Sequence, residues 1–160
     1  MSRSDADEEA AAPGRGLLTL QLGDARFGLW VDEVLEIVPT PPISRLPLPH
    51  PELAGVTSVR GELVPVLDLG VRLMDTPAVR PGRLVLVRHE ESATVVGLLV
   101  DGVRTLVAVH DEDVEDPPKS ARSGLPPRMV TGVVATGDGV ATILHLGRAA
   151  APPETNGGEG

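Results

Sequence analysis

Short apolar runs rich in Val and Leu, each ended by Gly, Pro or Asp, recur along the chain from Leu17 to Leu146. Runs of this length and composition favour strands, and the residues that end them favour tight turns. With 18 Gly and 16 Pro in 160 residues, long helices are disfavoured. We therefore predict an all-β fold of about ten short strands, arranged as one or two small barrels.

The turn signals join neighbouring runs into hairpins. Gly23-Asp24 and Gly137-Asp138-Gly139 are clear signals, because glycine reaches positive φ without a steric penalty. The predicted strand groups are 17–22 with 26–31, 55–59 with 63–68, 83–88 with 94–100 and then 103–109, and 129–136 with 140–146. The two halves of the chain on either side of residue 80 share this hairpin pattern, which indicates an internal duplication although the sequence shows no repeat.

Three short segments are predicted to be helical instead. Residues 32–38 fit one or two amphipathic turns that must end before Pro39, and residues 50–54 fit a single turn. Asp68 is placed to cap a turn over residues 69–73. The proline-rich stretch 39–51 predicts an extended connector.

The hairpin within residues 55–69 is the most constrained stretch. Its tip, Arg60-Gly61-Glu62, presents one arginine, whose planar guanidinium can form two hydrogen bonds with a carboxylate. On the sequence alone, Arg60 suits binding a partner and tying two loops together about equally. Pro65 cannot donate a ladder hydrogen bond, so we predict that its strand is a sheet edge or is bulged there.

The net charge of −9 is concentrated in three acidic segments, residues 1–16, 111–116 and 154–159. Such a chain repels phosphate, and its two aromatic residues, Phe27 and Trp30, offer no platform for stacking bases. We therefore expect no nucleic-acid partner. Residues 1–16 are predicted to be a disordered acidic tail, and residues 149–160 a second disordered tail.

Cysteine is absent, which excludes disulfides and zinc–thiolate sites. The N-terminus is acidic, and no apolar run approaches the roughly 20 residues that a membrane helix needs. Neither a signal peptide nor direct membrane insertion is expected. The prediction that follows is a cytoplasmic protein.

The sequence holds no arrangement of side chains that catalysis or metal binding requires. The four histidines are scattered, at positions 50, 89, 110 and 145, and neither a phosphate-binding glycine loop nor a nucleophile elbow occurs. Asp68 and Asp101 each end an apolar run, where capping is the simpler role. We predict a binding module that is not an enzyme, with no metal and no cofactor. The apolar residues of 34–38 allow either full burial or a small docking surface.

Four motifs in sequence order resemble the CheW family of chemotaxis adaptors. The hairpin is similar to the family pattern G-V-x-N-x-R-G-x-(V/I)-x-P-(V/I)-x-D-L, with matches at Gly55, Val56, Arg60, Gly61, Pro65, Val66, Asp68 and Leu69. The other motifs are V-x-E-I at 34–37, VG-x-x-VD-x-V at 96–103, and the closing region at 132–133 and 138–139. Ser58 stands where the family usually has asparagine, which removes an amide that both donates and accepts.

The resemblance implies two pseudo-symmetric, five-stranded SH3-like barrels packed together over residues 17–148, with one or two short helices. We place the boundary between the sub-barrels near residue 80, giving 17–80 and 81–148, with terminal strands free to cross over. The regulatory domain of a CheA-type histidine kinase would bind one end. The groove between the barrels would take the cytoplasmic tip of a methyl-accepting chemoreceptor.

By the same resemblance, the residues assigned to partner contact are Val34, Glu36, Ile37, Gly55, Arg60, Gly61, Val100 and Asp101. The function implied is a non-catalytic adaptor that couples chemoreceptors to CheA. Two alternatives stay open at this point. One is a CheW-like adaptor of a two-component pathway outside chemotaxis, and the other is a small β-barrel ligand carrier.

Overall fold

The computed structural model describes residues 14–47, 50–79, 82–89, 93–117, 127–137 and 139–151. Within them lie ten strands: β1 Arg15–Leu22, β2 Ala25–Trp30, β3 Val34–Pro39, β4 Leu53–Val59, β5 Glu62–Asp68, β6 Arg83–Arg88, β7 Val95–Val100, β8 Gly102–Val109, β9 Val130–Thr136 and β10 Gly139–Leu144. The α-helices of the same part are α1 Leu69–Met74 and α2 Leu146–Ala149, and single 3₁₀ turns cover Val31–Glu33, Asp111–Asp113 and Pro127–Met129.

The strands form two five-stranded sheets. Sheet I has the order β8-β1-β2-β10-β9, and sheet II has the order β3-β6-β7-β5-β4. The predicted all-β fold of two five-stranded units is confirmed. The boundary near residue 80 is wrong, because it would separate β6 and β7 from the other strands of sheet II. The chain begins in sheet I, builds all of sheet II and then returns to complete sheet I.

The two sheets repeat each other strand by strand. Each contains one parallel pair, β10 with β2 and β5 with β7, between strands that are otherwise antiparallel. An isolated bridge extends each outer edge, Ser44 with Val56 and Glu115 with Val133. The residue before each helix donates its amide to an equivalent carbonyl, Asp68 to Glu52 at 2.7 Å and His145 to Met129 at 2.8 Å. The structure therefore shows the duplication that the hairpin pattern indicated.

One core is shared between the sheets. Its largest cluster takes buried side chains from sheet I, such as Leu20 and Phe27, and from sheet II, such as Leu67 and Leu98. Leu146 of α2 is part of the same cluster. The two units are therefore held together by common apolar burial, which is the dominant stabilising term in folding.

Two predicted helical segments are strands or turns instead. Only Val31–Glu33 forms a 3₁₀ turn, and Val34–Pro39 is strand β3, whose side chains alternate between half-buried and exposed. Antiparallel pairing with β6 supplies the backbone partners that make this segment extended. Residues 51–52 form a turn, and β4 already begins at Leu53.

The prediction for Pro65 is also wrong, since β5 lies inside sheet II between β7 and β4 and the register shift falls in β4. Val56, which lies opposite Pro65, exchanges both backbone hydrogen bonds with Ser44, at 2.8 and 2.9 Å. Pairing of β5 with β7 begins only at Val66. The missing N–H of Pro65 therefore leaves no ladder partner unsatisfied.

The folded part extends beyond the predicted tails at both ends. Arg15 and Gly16 belong to β1, and Ala149 is the last residue of α2, with its side chain fully buried. The remainder of the predicted tails, residues 1–13 and 152–160, lies outside the described residues, as does Asp138 of the last hairpin.

The cap predicted at Asp68 is confirmed, and it gives a first testable expectation. The buried carboxylate accepts from the amides of Val71 at 3.2 Å and Ala78 at 3.1 Å. We expect Asp68→Ala to lower the free energy of unfolding by about 2 kcal/mol, because the buried amide of Ala78 and the partly buried amide of Val71 lose their acceptor. In thermal unfolding followed by circular dichroism, this corresponds to a fall in Tm of about 4–8 °C.

The matched control is His145, the equivalent cap of α2. Its Nδ1 accepts one amide, that of Arg148 at 3.3 Å, and the side chain is only half-buried. We expect His145→Ala to cost less than half as much as Asp68→Ala. Equal losses would show that the second amide bound by Asp68 contributes nothing.

Candidate functional site

The β4–β5 hairpin places Arg60 at its tip. Val59 and Glu62 form the last strand pair, so Arg60 and Gly61 are the two turn residues. Their φ angles are 52° and 81°, and two positive values are what a type I′ turn requires. This turn matches the right-handed twist of the strands and places Arg60 at the exposed end of the hairpin.

Arg60 forms a two-point ion pair with Glu36 of β3. Its Nη1 donates to Oε1 at 2.6 Å, and its Nη2 donates to Oε2. Because β3 and β4 are the opposite edges of sheet II, this pair links the two edges across the open side of the sheet. The ion pair ties the hairpin to β3, yet the Arg60 side chain is 68% exposed and so still lies at the surface.

The ion pair also shifts the pKa of both partners. The hydrogen bond from Arg60 holds the pKa of Glu36 below its ordinary value, and the same bond raises the pKa of Arg60. A lowered carboxylate pKa contributes stability that is present at neutral pH and is lost as the pH falls through the lowered pKa. Since both groups face solvent, screening keeps this contribution small.

Strand β3 presents one face to the core and another to solvent. Val34 packs against the shared core, whereas Leu35 and Ile37 are 49% and 38% exposed. The segment is therefore neither fully buried nor fully available for docking, because one face of β3 packs against the core and the other is exposed. Of the predicted contact residues in β3, Glu36 and Ile37 are accessible.

Three other predicted contact residues take part in packing or hydrogen bonding inside the protein. Val100 is fully buried, with its side chain packed in the shared core, and its predicted contact with a partner stays a prediction. Gly55 is buried where its backbone passes the Ser44 carbonyl. The carboxylate of Asp101 accepts from the amides of Gly23 at 2.6 Å and Val79 at 2.5 Å, which connects a turn of sheet I to the segment after α1.

The structure also reveals an apolar surface that the sequence did not indicate. A Cβ built on Gly16 would lie 2.7 Å from Cγ1 of Val31 and 3.4 Å from Cδ1 of Leu106, so these two side chains lie together over the glycine. They are 38% and 58% exposed, and we call them the Val31–Leu106 patch. Val31 belongs to the turn that carries the chain from sheet I to sheet II, so the patch lies beside the crossing between the sheets.

A cation–π contact lies next to this patch. The Arg15 guanidinium is 4.1 Å from the centre of the Trp30 ring, and it pairs with Asp32 at 3.1 Å. Both contacts hold the start of β1 against the turn that contains Val31. Such contacts at exposed sites contribute modestly to stability.

Within the described ranges, no group of three or more His, Cys, Asp and Glu side chains is placed to bind a metal ion. No helix in the same part of the chain combines the length and apolarity that crossing a membrane requires.

Comparison with known proteins identifies the family. Residues 16–151 match the CheW-like domain. The "Probable chemotaxis protein CheW" of Rhizobium etli is 30% identical over 132 residues, which cover 82% of this chain and 84% of the relative. "Protein FrzA" of Myxococcus xanthus is 32% identical over 109 residues, or 68% of each protein. The crystal structure of the scaffolding protein TtCheW from Thermoanaerobacter tengcongensis has the same fold, with a TM-score of 0.74 and 24% identity over 85% of this chain and 92% of that one.

Proposed function

We propose that this chain, a member of the CheW-like family and a non-catalytic chemotaxis adaptor that couples receptors to CheA, binds its two partners through two separate surfaces. The Val31–Leu106 patch would bind the cytoplasmic tip of a methyl-accepting chemoreceptor. The hairpin end of sheet II, with Glu36, Ile37, Arg60 and Gly61, would bind the regulatory domain of the kinase. The site of action would be the cytoplasm, where both partners present these parts.

The receptor assignment is supported by the chemistry and the position of the patch. A receptor tip is a helical hairpin, and helices bind grooves through apolar residues at positions i, i+3 and i+4. Val31 and Leu106 are exposed apolar side chains brought together from distant parts of the chain beside the crossing between the sheets. Arg15 and Asp32 supply a charged rim, which is the usual surrounding of an apolar contact.

The kinase assignment is supported by the exposed end of sheet II. Leu63, next to the hairpin tip, is 77% exposed, and Ile37, next to Glu36 in β3, is 38% exposed, so each member of the Arg60–Glu36 pair has an exposed apolar residue near it in the sequence. The resemblance implies that the kinase's regulatory domain is built like this protein. An interface of apolar contacts around a rigid ion pair suits two such domains meeting end to end.

The test is a three-component binding assay with this protein, the kinase and a receptor signalling tip. We expect binding of each partner separately and a ternary complex, with no turnover by the adaptor itself. Binding of the kinase without the receptor tip would favour the alternative of an adaptor in another two-component pathway. Tight co-purification of a small molecule, with neither partner bound, would favour the ligand carrier.

Replacing Arg60 tests the hairpin directly. We expect Arg60→Ala to weaken assembly of the ternary complex about tenfold while lowering Tm by less than about 2 °C, because an exposed ion pair contributes little to stability. Glu36→Gln keeps the size of its side chain and removes only the charge, so it should weaken assembly in the same direction. A loss of Tm in proportion to the loss of binding would show that Arg60 has only a structural role.

A further inference from the structure

Arg72 of α1 forms a buried contact between the two sheets. Its side chain is 6% exposed. The Nη1 atom donates to the carbonyl oxygens of Arg148 at 3.3 Å and Ala149 at 2.9 Å, and also to that of Ala151. The Nη2 atom lies 3.6 Å from Oε2 of Glu52. One side chain from the sheet II side therefore holds the last turn of α2 and the residues after it.

This contact satisfies a general requirement of helix ends. The last carbonyls of a helix have no partner within the helix, and a cation near them is favourable. In most helices, nearby residues satisfy these carbonyls. Here the donor comes from a residue more than seventy positions earlier in the chain. Burial lowers the pKa of Arg72, and the charge of Glu52 opposes that shift. The guanidinium is held from both sides, by the α2 carbonyls at Nη1 and by Glu52 at Nη2.

The two elements joined by Arg72 belong to different sheets. Helix α1 follows β5 of sheet II, and α2 follows β10 of sheet I. Leu146 and Ala149 of α2 enter the core that both sheets share. The position of α2 therefore bears on how the two sheets pack against each other.

The end of α2 is not enclosed on all sides. A cleft of about 550 Å³ borders Arg72, Glu52 and Ala151, and its far wall includes Arg128 and Met129. Apolar packing fixes the inner face of α2, and at the cleft α2 is held by the hydrogen bonds of Arg72 and by one from Arg148 Nη1 to the Arg128 carbonyl at 3.0 Å. Of these, only the bonds of Arg72 connect α2 to α1, so removing them would loosen α2 from the sheet II side.

We infer that Arg72 is a positioning residue that latches α2 to α1, fixes the angle between sheets I and II, and thereby couples the two partner surfaces. The last step rests on the proposed function, whereas the latch itself does not. The cysteine-free sequence allows both to be tested, because introduced cysteines can be labelled without background.

The first test measures the angle between the sheets in the full chain without partners. Spin labels at Ser58→Cys and Ala135→Cys would report on equivalent exposed positions of β4 and β9. We expect one narrow distance distribution with Arg72 present, and at least a doubling of its width in Arg72→Met. An unchanged distribution in a folded Arg72→Met protein would overturn the latch.

Two further variants keep this test decisive. Arg72→Lys retains the charge, but its single nitrogen cannot contact both the α2 carbonyls and Glu52, as Nη1 and Nη2 of the guanidinium do. It should therefore broaden the distribution even if Arg72→Met fails to fold. Arg88→Met is the matched control, since Arg88 is exposed and donates to the carbonyl of Ala93 at 3.0 Å within one hairpin of sheet II. Equal broadening in Arg88→Met would show a general loosening and would also overturn the latch.

The second test measures coupling. We expect Arg72→Lys to keep the separate affinities for kinase and receptor tip within twofold of the original protein, and to reduce the mutual enhancement of their binding about fivefold. Broadened distances with unchanged enhancement would overturn the coupling and leave the latch supported. If the original protein binds neither partner, the proposed function fails, and the distance measurement still decides the latch.

Discussion

Replacing Gly55 with alanine is expected to lower the free energy of unfolding by about 3 kcal/mol or more. Gly55 has a φ of +146°, which L side chains rarely adopt, and a Cβ there would lie 2.1 Å from the carbonyl oxygen of Ser44. That carbonyl cannot retreat easily, because it accepts the amide of Val56 in the bridge that covers the edge of β4. The substitution therefore combines backbone strain with a collision between backbone atoms.

The measurement is thermal unfolding, with a fall in Tm of about 6–12 °C for Gly55→Ala. Gly61→Ala is the matched control, since Gly61 also has a positive φ, +81°, but apart from Gly61 and its two chain neighbours no atom of the described residues lies within 4 Å of the place that a Cβ would take there. We expect about 1 kcal/mol for that change, from strain alone. If the two variants lose equal stability, the contact with Ser44 is not what demands glycine at position 55.

Replacing Leu106 with aspartate is expected to weaken binding of a receptor signalling tip about thirtyfold, or about 2 kcal/mol. The change removes an apolar side chain from the centre of the proposed contact and adds a charge that must lose its water on binding. Stability should hardly change, because Leu106 is 58% exposed and lies on β8, an edge strand of sheet I.

Val140→Asp provides a closely matched control. Val140 is also 58% exposed, and it lies on β10 of the same sheet, outside the Val31–Leu106 patch. Titration of the receptor tip by calorimetry should show a large loss for Leu106→Asp and less than a twofold change for Val140→Asp. A similar loss in both would point to a general effect of added negative charge, and no loss in either would remove the patch from the receptor interface.

Features that depend on neighbouring residues were predictable from the sequence. The hairpins follow from apolar runs separated by Gly-containing turns, and the positions of β6, β7 and β8 agree with their predictions to within one or two residues. The cap at Asp68 follows from an acidic residue placed before a short helix. Both depend on contacts within a few residues, which a single sequence contains.

Features that depend on distant pairing were not predictable in the same way. The pattern of residues 32–38 fits a helix, but pairing with β6 makes Val34–Pro39 a strand. Pro65 is accommodated inside a sheet because Ser44, from a proline-rich connector, takes over the hydrogen bonds of Val56. In each case the deciding partner is a segment whose position the local sequence does not encode.

The same distinction between local and distant contacts applies to the candidate site. The sequence by itself determined the all-β class, the hairpin and the arginine at its tip, because turn chemistry and apolar alternation are local. Only the tertiary structure decided that Arg60 pairs with Glu36, that Val100 is buried, and that Val31 and Leu106 form one patch. These outcomes depend on sheets assembled from both ends of the chain, so the contacts exist only once β1 has paired with β8 and β3 with β6.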